Sequence, residues 1–430
     1  MFFFVSLLLV IYLPGLGKGL IRDDYAWIAG SRVSSVWQTP QLFTRHNGFY
    51  RPLVSLSFWA DEQLFGLEPF GYGLTNLAFL LADLALVALL ARVLGMAASL
   101  AWLAALVWAF NPHGINMALL WTSGRTSLLL VLFSLLCAIA FQRRSYALAT
   151  VFMLAALFCK EEALLLPATL LAWALIQKRS LLPVLPLAAC DAVYLWLRAQ
   201  TGAYTPATAP GFYRLSLDPS LLATNVLEYA DRACTFPLAL VILTALVAGA
   251  RPRPDTRERT WMLLGLAWLV FGYAITLFLP VRSSLYACFP SVGSALAAVA
   301  LVGASLRGLS ERAQQRLLVA AGALALLLVP VYWNRNARWV EPARVATRVL
   351  ETAAPIARAS REGLLVFEDD PGARYNLSSA FAGLLQDAVR LASGRPELRV
   401  RLETPPLETA PPAEAHKRLR FRGGVLEEVR

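Results

Sequence analysis

"YGLTNLAFLLADLALVALLA", residues 72–91, is the stretch on which the fold turns. It is rich in Leu and Ala and carries one charge, Asp83. An α-helix rises about 1.5 Å per residue, so about 20 apolar residues cross the roughly 30 Å hydrocarbon layer of a bilayer. The run does not alternate apolar with polar, as a membrane β-strand would, so it reads as a helix. Similar runs recur on both sides of it. They predict eleven membrane helices, at 2–17, 72–91, 97–110, 127–141, 146–158, 163–176, 181–198, 234–248, 261–279, 285–304 and 317–333. Composition agrees: of 430 residues 58% are hydrophobic and 16% charged, with mean hydropathy +0.56. A soluble domain carries about 25% charged residues. The fold class expected is an all-α polytopic membrane protein with a small C-terminal α/β domain.

The first segment lacks the basic start and small-residue cleavage site of a signal peptide, and is read as an uncleaved membrane helix. The formal charge is +11. In a chain this apolar, loop Lys and Arg set topology, and no nucleic-acid partner is expected. One set of loops (92–96, 142–145, 177–180, 249–260, 305–316) holds 12 Lys/Arg in 37 residues. The alternate set (18–71, 111–126, 159–162, 199–233, 280–284) holds 10 in 114. The first set is therefore cytoplasmic. The N-terminus starts inside and the C-terminal tail ends outside. A compact chain of this kind suits a bacterial inner membrane, with the tail periplasmic.

Two regions follow. Residues 1–333 form the membrane part, with a long first outer loop at 18–71. Residues 334–430 form the outer tail. In the tail, 341–361 reads as a helix, "LLVFED" (364–369) as a strand, and "LSSAFAGLLQDAVRLA" (377–392) as helical. "LRVRLE" (398–403) alternates like a strand. "PPLETAPPAE" (405–414) is a connector, and "RLRFRGGVLEEVR" (418–430) a hairpin turning at Gly423-Gly424. A domain this small needs docking on the membrane part for stability.

The five cysteines form no CxxC pair and the three histidines (46, 113, 416) lie far apart, so neither a disulfide framework nor a His-rich metal centre is expected. The unusual charges gather on the outer loops. "GLIRDDYAWI" (19–28) holds the adjacent carboxylates Asp23 and Asp24. Like charges side by side raise each other's pKa, which suits a general base for a hydroxyl. The same pair also fits a hydrated loop or a helix N-cap. "NGFYRPLVSLSFWADEQLFGLEPFGYGLTNL" (47–77) holds Arg51 before Pro52, a sound phosphate ligand because guanidinium engages two oxygens at once. "NPHGINMALLWTSGRTS" (111–127) holds Trp121 and Arg125. "FCKEEALLLP" (158–167) is a charged knot, Lys160-Glu161-Glu162, between two membrane helices. It reads either as a functional site or as a self-neutralising turn. "LPVRSSLYACFPSVG" (279–293) holds Arg282 and Tyr286. Inside the bilayer, Asp83, Asp191 and Arg198 stand out; Asp191 and Arg198 share a helix face and are expected to pair or to bind a partner helix. No residues are assigned to a metal, although paired carboxylates leave a divalent cation open as a cofactor.

Together these charges describe an outward cavity with two carboxylates and four cations. The cations suit a lipid-borne phosphate and the carboxylates suit activation of an acceptor hydroxyl. That is the chemistry of sugar transfer from a lipid-phosphate donor.

The ordered set "DD" (23–24), "YRPL" (50–53), "LFGLEPFGYGLTNL" (64–77), "WTSGR" (121–125), "CKE" (159–161) and "RSSLYACFPSVG" (282–293) resembles the GT-C membrane glycosyltransferases. The likeness is to the protein O-mannosyltransferases, the transmembrane type that carries tetratricopeptide repeats, and to bacterial relatives; it covers roughly residues 1–300. The resemblance implies a polyprenyl-phosphate sugar donor, possible use of mannose, a protein or glycan acceptor, and an aspartate of the first outer loop as catalytic residue. That role is carried onto Asp23 or Asp24, with a preference for Asp24 because a helix starting near Tyr25 would fix it. Arg51, Arg125, Lys160, Glu161, Arg282 and Tyr286 are assigned to donor and phosphate. The chain departs from the family at "NPHG" (111–114), where the family reads HPxH, and has an α/β tail where the repeats would stand. A transporter or flippase of a lipid-linked or anionic solute is the alternative, although the chain shows neither clear paired repeats nor clear broken helices and its charges gather at one face.

Overall fold

The computed structural model describes residues 2–205, 207–249, 252–307, 309–361, 363–404 and 416–429. Helix α1 (Phe2–Tyr12) enters the first outer loop, which holds α2 (Asp24–Ser31), a 3-10 stretch Val36–Phe43 and α3 (Pro52–Phe65). The chain continues through α4 (Pro69–Val93), α5 (Ala98–Ala109), α6 (Ile115–Leu120), α7 (Arg125–Gln142), α8 (Tyr146–Leu157), α9 (Leu166–Ile176) and α10 (Leu185–Thr201). Then come α11 (Pro219–Ala248), α12 (Thr256–Tyr273), α13 (Ser291–Leu306), α14 (Glu311–Leu327) and α15 (Val329–Ala359). Every one of the eleven apolar segments lies on helix, the last across α14 and α15, which are bent by 40°. Among the described residues, Pro69–Val93, Thr122–Gln142, Leu182–Thr201 and Pro219–Ala248 are each long and apolar enough to cross a bilayer, and the bent pair makes a fifth. Phe2–Gly15, Ala98–Ala109, Tyr146–Leu157 and Ser291–Leu306 are apolar but shorter. Helix length alone thus supports five crossings, and the expected eleven rest on shorter helices too.

Helix α11 starts well before its apolar run because its first half is amphipathic. Asp218 accepts the Ser220 N–H at 2.9 Å as the N-cap, and Glu228 and Arg232 pair one turn apart within that half. In the membrane part, fully buried Trp108, Trp173 and Trp268 each donate the indole N–H to a carbonyl, of Cys288, Leu264 and Phe289, at 2.8–2.9 Å. Buried indoles need such a partner. Helices α12 and α13 approach closely through Gly265 and Gly293. A Cβ on Gly293 would stand 2.3 Å from the Gly265 carbonyl, so only small residues allow this crossing.

The tail follows from α15. After it come β1 (Leu364–Glu368), α16 (Leu377–Phe381), α17 (Leu385–Ser393), β2 (Arg399–Glu403), β3 (His416–Arg422) and β4 (Val425–Val429). The sheet order is β2-β1-β3-β4, with β1 parallel to both neighbours and β3–β4 an antiparallel hairpin turning at Gly423-Gly424, as its sequence predicts. Central β1 is buried along its whole length, which explains its continuous apolar run. The single helix expected over 377–392 is two. Ala382 and Gly383 adopt positive φ, 46° and 87°, and end α16 after a capping box at Asn376. The connector 405–414 lies outside the described residues.

The tail does not have a core of its own. Phe367, Phe381, Leu385 and Val389 share one apolar cluster with Leu20, Ile21, Tyr25 and Ile28 of the first outer loop and with Val54 and Phe58 of α3. This packing places the Asp23-Asp24 segment between the membrane helices and the tail.

Candidate active site

The adjacent aspartates separate. Helix α2 begins at Asp24, so the two side chains leave the backbone in different directions. Asp24 is fully buried. One carboxylate oxygen accepts the Ile21 N–H at 2.8 Å, and the other accepts the Ser123 N–H at 2.6 Å and its hydroxyl at 2.5 Å. Ser123 belongs to the "WTSGR" motif ahead of α7, so Asp24 ties the first outer loop to the start of a membrane helix. Asp23 is exposed and its side chain makes no cap bond. The surrounding protein still raises its carboxyl from the ordinary value by partial desolvation, opposed by Arg22 and Arg51.

Burial pushes the Asp24 carboxyl up to about 7, against the Ile21 and Ser123 donors, which lower it. An unfolded Asp titrates near about 3.9. Between those values the folded protein holds the extra proton, so stability falls as pH rises from about 4 to about 7 and levels off beyond. Denaturation midpoints across that range check this. Asp24→Asn flattens the profile in that window, whatever its absolute cost.

Around Asp23 the outer loops and helix ends bring a set of charges together. Arg51, at the N-cap of α3, donates Nε and Nη2 to Glu161 Oε2 at 3.0 and 2.6 Å and stacks on Phe49 at 4.2 Å. The other oxygen of Glu161 accepts from Arg198 of α10 at 2.9 Å. Burial would raise the Glu161 carboxyl, but Arg51 and Arg198 more than offset it and hold it below the usual carboxylate range. Lys160 is buried between Glu162 at 2.7 Å and the Ser127 hydroxyl at 2.9 Å, with its ammonium 5.1 Å from the Tyr286 ring. Tyr213, from the 199–233 loop, feels Arg51, Asp23, Glu161 and Glu162 together, and Tyr286 feels Glu162, Tyr213 and Arg51. Burial raises the Tyr213 phenol, so it stays a protonated donor at neutral pH.

Of the residues named from the sequence, Asp23, Arg51, Lys160, Glu161 and Tyr286 therefore converge. Asp24 is buried below the surface. Arg125 is not among them. It is fully buried, ion-paired with Asp61 of α3 at 2.6 Å, bonded to Asn76 of α4 at 3.0 Å and stacked over Phe58 at 4.4 Å. It joins α3, α4 and α7. Arg282 is exposed and paired with Glu228 of α11 at 2.9 Å. The expected Asp191–Arg198 pair is absent: Arg198 turns to Glu161, and one Asp191 oxygen has no hydrogen-bond partner. Sequence reasoning named Glu162 only as part of the charged knot and left out Tyr213 and Ser123. Ser123 was inside a quoted motif, but nothing in the order of residues marks Tyr213, which arrives from a loop more than 150 positions away from Arg51. Among the described residues no three His, Cys, Asp or Glu side chains gather as a metal site, and both Asp24 oxygens accept hydrogen bonds from the protein.

The cluster offers one exposed carboxylate beside Arg51. Among the described residues Arg51 Nη1 makes no hydrogen bond, and the buried Lys160 ammonium uses two of its three protons.

No family model matches the chain. Protein O-mannosyl-transferase Tmtc1 of Drosophila melanogaster is 30% identical over 178 residues, 37% of this chain; the match spans 21% of that relative's length. Over nearly the whole chain the fold is similar to that of ArnT from Cupriavidus metallidurans. The structure of ArnT bound to undecaprenyl phosphate superposes with a TM-score of 0.51 at 15% identity, covering 93% of this chain and 88% of that one. The apo structure gives 0.52 at 16%. The chain is an integral membrane protein with a GT-C fold, resembling the O-mannosyltransferases in sequence over part of its length.

Proposed function

We propose that the chain is a glycosyltransferase that moves a sugar from a polyprenyl-phosphate donor to an acceptor hydroxyl on the extracytoplasmic face. The observation that carries this reading is the juxtaposition of exposed Asp23 with Arg51, whose Nη1 has no hydrogen bond among the described residues. ArnT, bound in its crystal structure to undecaprenyl phosphate, shares the fold, and Tmtc1 is named an O-mannosyl-transferase.

Asp23 takes the proton of the acceptor hydroxyl as its oxygen attacks the anomeric carbon. The bond from that carbon to the phosphate oxygen breaks, and lipid phosphate leaves. Arg51 and Lys160 stabilise the charge that builds on the leaving phosphate. Glu161 and Glu162 hold those two cations in place and keep their net field small in the empty site, which leaves one N–H of each for the phosphate. Asp24 is the wrong aspartate for the base because both its oxygens are engaged and it is sealed from solvent. Mannose is the sugar to try first, given Tmtc1, and a protein or glycan is the acceptor class.

The test is release of polyprenyl phosphate from polyprenyl-phosphate mannose and related donors by the purified protein, with and without peptide or glycan acceptors. Movement of intact donor across a vesicle membrane, with no covalent transfer, would place the protein among transporters instead.

A further inference from the structure

Arg22 adopts φ 51°, the left-handed region that non-glycine residues rarely occupy. Such a conformation persists only where surrounding structure over-determines it. Here the determinants come from the tail. The Arg22 N–H donates to the Ala380 carbonyl at 3.0 Å, and Nε donates to the Ser379 carbonyl at 3.2 Å. Both carbonyls belong to α16. That helix is fixed in turn by Asp369 at the end of β1, whose carboxylate accepts the Leu377 and Ser378 N–H groups at 2.8 and 3.0 Å. The Arg22 guanidinium lies 5.3 Å over Trp339 of α15. Trp339 stacks on Trp121, two residues before the Ser123 that holds Asp24. On the other side of the aspartates, Tyr25 packs against Phe381 with ring centroids 5.8 Å apart. The residue before Asp23 and the residue after Asp24 are thus both held by the tail.

We propose that Arg22 is a positioning residue: its left-handed backbone, held by the tail's α16 carbonyls, aims Asp23 at the acceptor hydroxyl. A relaxed Arg22 in an ordinary extended or right-handed conformation would turn the following peptide and swing the Asp23 carboxylate away from Arg51. The tail is then part of the transfer machinery, acting through the loop and contacting no donor phosphate. This inference rests on the reading of Asp23 as the base.

The experiment compares Arg22→Gly with Arg22→Val in the full chain. Both remove the guanidinium. Glycine enters the left-handed region freely, whereas a β-branched residue resists it. The expected result is a kcat for Arg22→Val at least tenfold below that of Arg22→Gly, with the same donor KM in both. Amide exchange at residues 22–24 is expected to rise in the valine variant. Equal kcat in the two variants overturns the inference, and does so most plainly if exchange shows the loop released in the valine variant. Should the valine variant fail to fold, Arg22→Ala, also disfavoured at positive φ, takes its place in the same comparison. Wild-type protein that transfers no sugar defeats the glycosyltransferase reading and this inference with it. Wild-type turnover with no Gly–Val difference defeats the positioning role alone.

Discussion

Asp23→Asn is expected to reduce sugar transfer by about 100- to 10,000-fold, the usual contribution of a positioned general base. The amide matches the carboxylate in size and the side chain carries no packing role, since Asp23 is exposed and makes no cap bond. Melting temperature and donor affinity are therefore expected to stay near wild type, and the loss should fall on kcat. Asp24→Asn has the opposite signature. It disturbs three accepted hydrogen bonds in a sealed site, so its first effect is on stability. Both variants are measured for turnover and for denaturation midpoint. If Asp23→Asn turns over normally while a folded Asp24→Asn is dead, the roles assigned to the two aspartates are reversed and the mechanism needs a different base.

Arg125→Ala is expected to be the most damaging single substitution for stability, at about 3–5 kcal/mol, the cost of leaving one member of a buried ion pair alone. The stranded group is Asp61, itself buried, and Asn76 loses a donor as well. Three helices meet at that guanidinium, so the loss extends to α3, α4 and α7 together. The double variant Arg125→Met with Asp61→Leu removes both charges and should recover a large part of the loss. Denaturation midpoints in detergent measure all three proteins. A single variant as stable as wild type would mean that Asp61 is neutralised by another group or by water.

These two predictions also show where sequence reading reached and where it stopped. The helical membrane part, each tail strand and the Gly423-Gly424 turn follow from local periodicity, so they are legible one segment at a time. Lys160 and Glu161 stand out in the sequence because charges at membrane depth need a reason, and Arg51 because a guanidinium before Pro52 suits a phosphate. Which cations come together is not legible, because that depends on partners distant in the chain. Arg125 and Arg51 look alike in sequence, each beside a short polar motif at a helix end. Asp61 and Asn76 take up the first, and only the fold brings them to it. In the same way the 377–392 segment has helical periodicity throughout, and the break at Ala382-Gly383 depends on backbone angles that periodicity does not encode.

The hydrogen bond from the Arg22 side chain to Ser379 joins residues 357 positions apart. Ribosomes add residues at about 5–20 per second, so the loop that presents Asp23 leaves the ribosome tens of seconds before the carbonyls that hold it. During that interval the membrane helices can pack while the Asp23 loop lacks the tail contact at Arg22. Closing so long a loop is slow and entropically costly. On the proposed role of Asp23, transfer is therefore expected only after α16 has closed on Arg22, a contact that forms late because its two halves are so far apart in the chain.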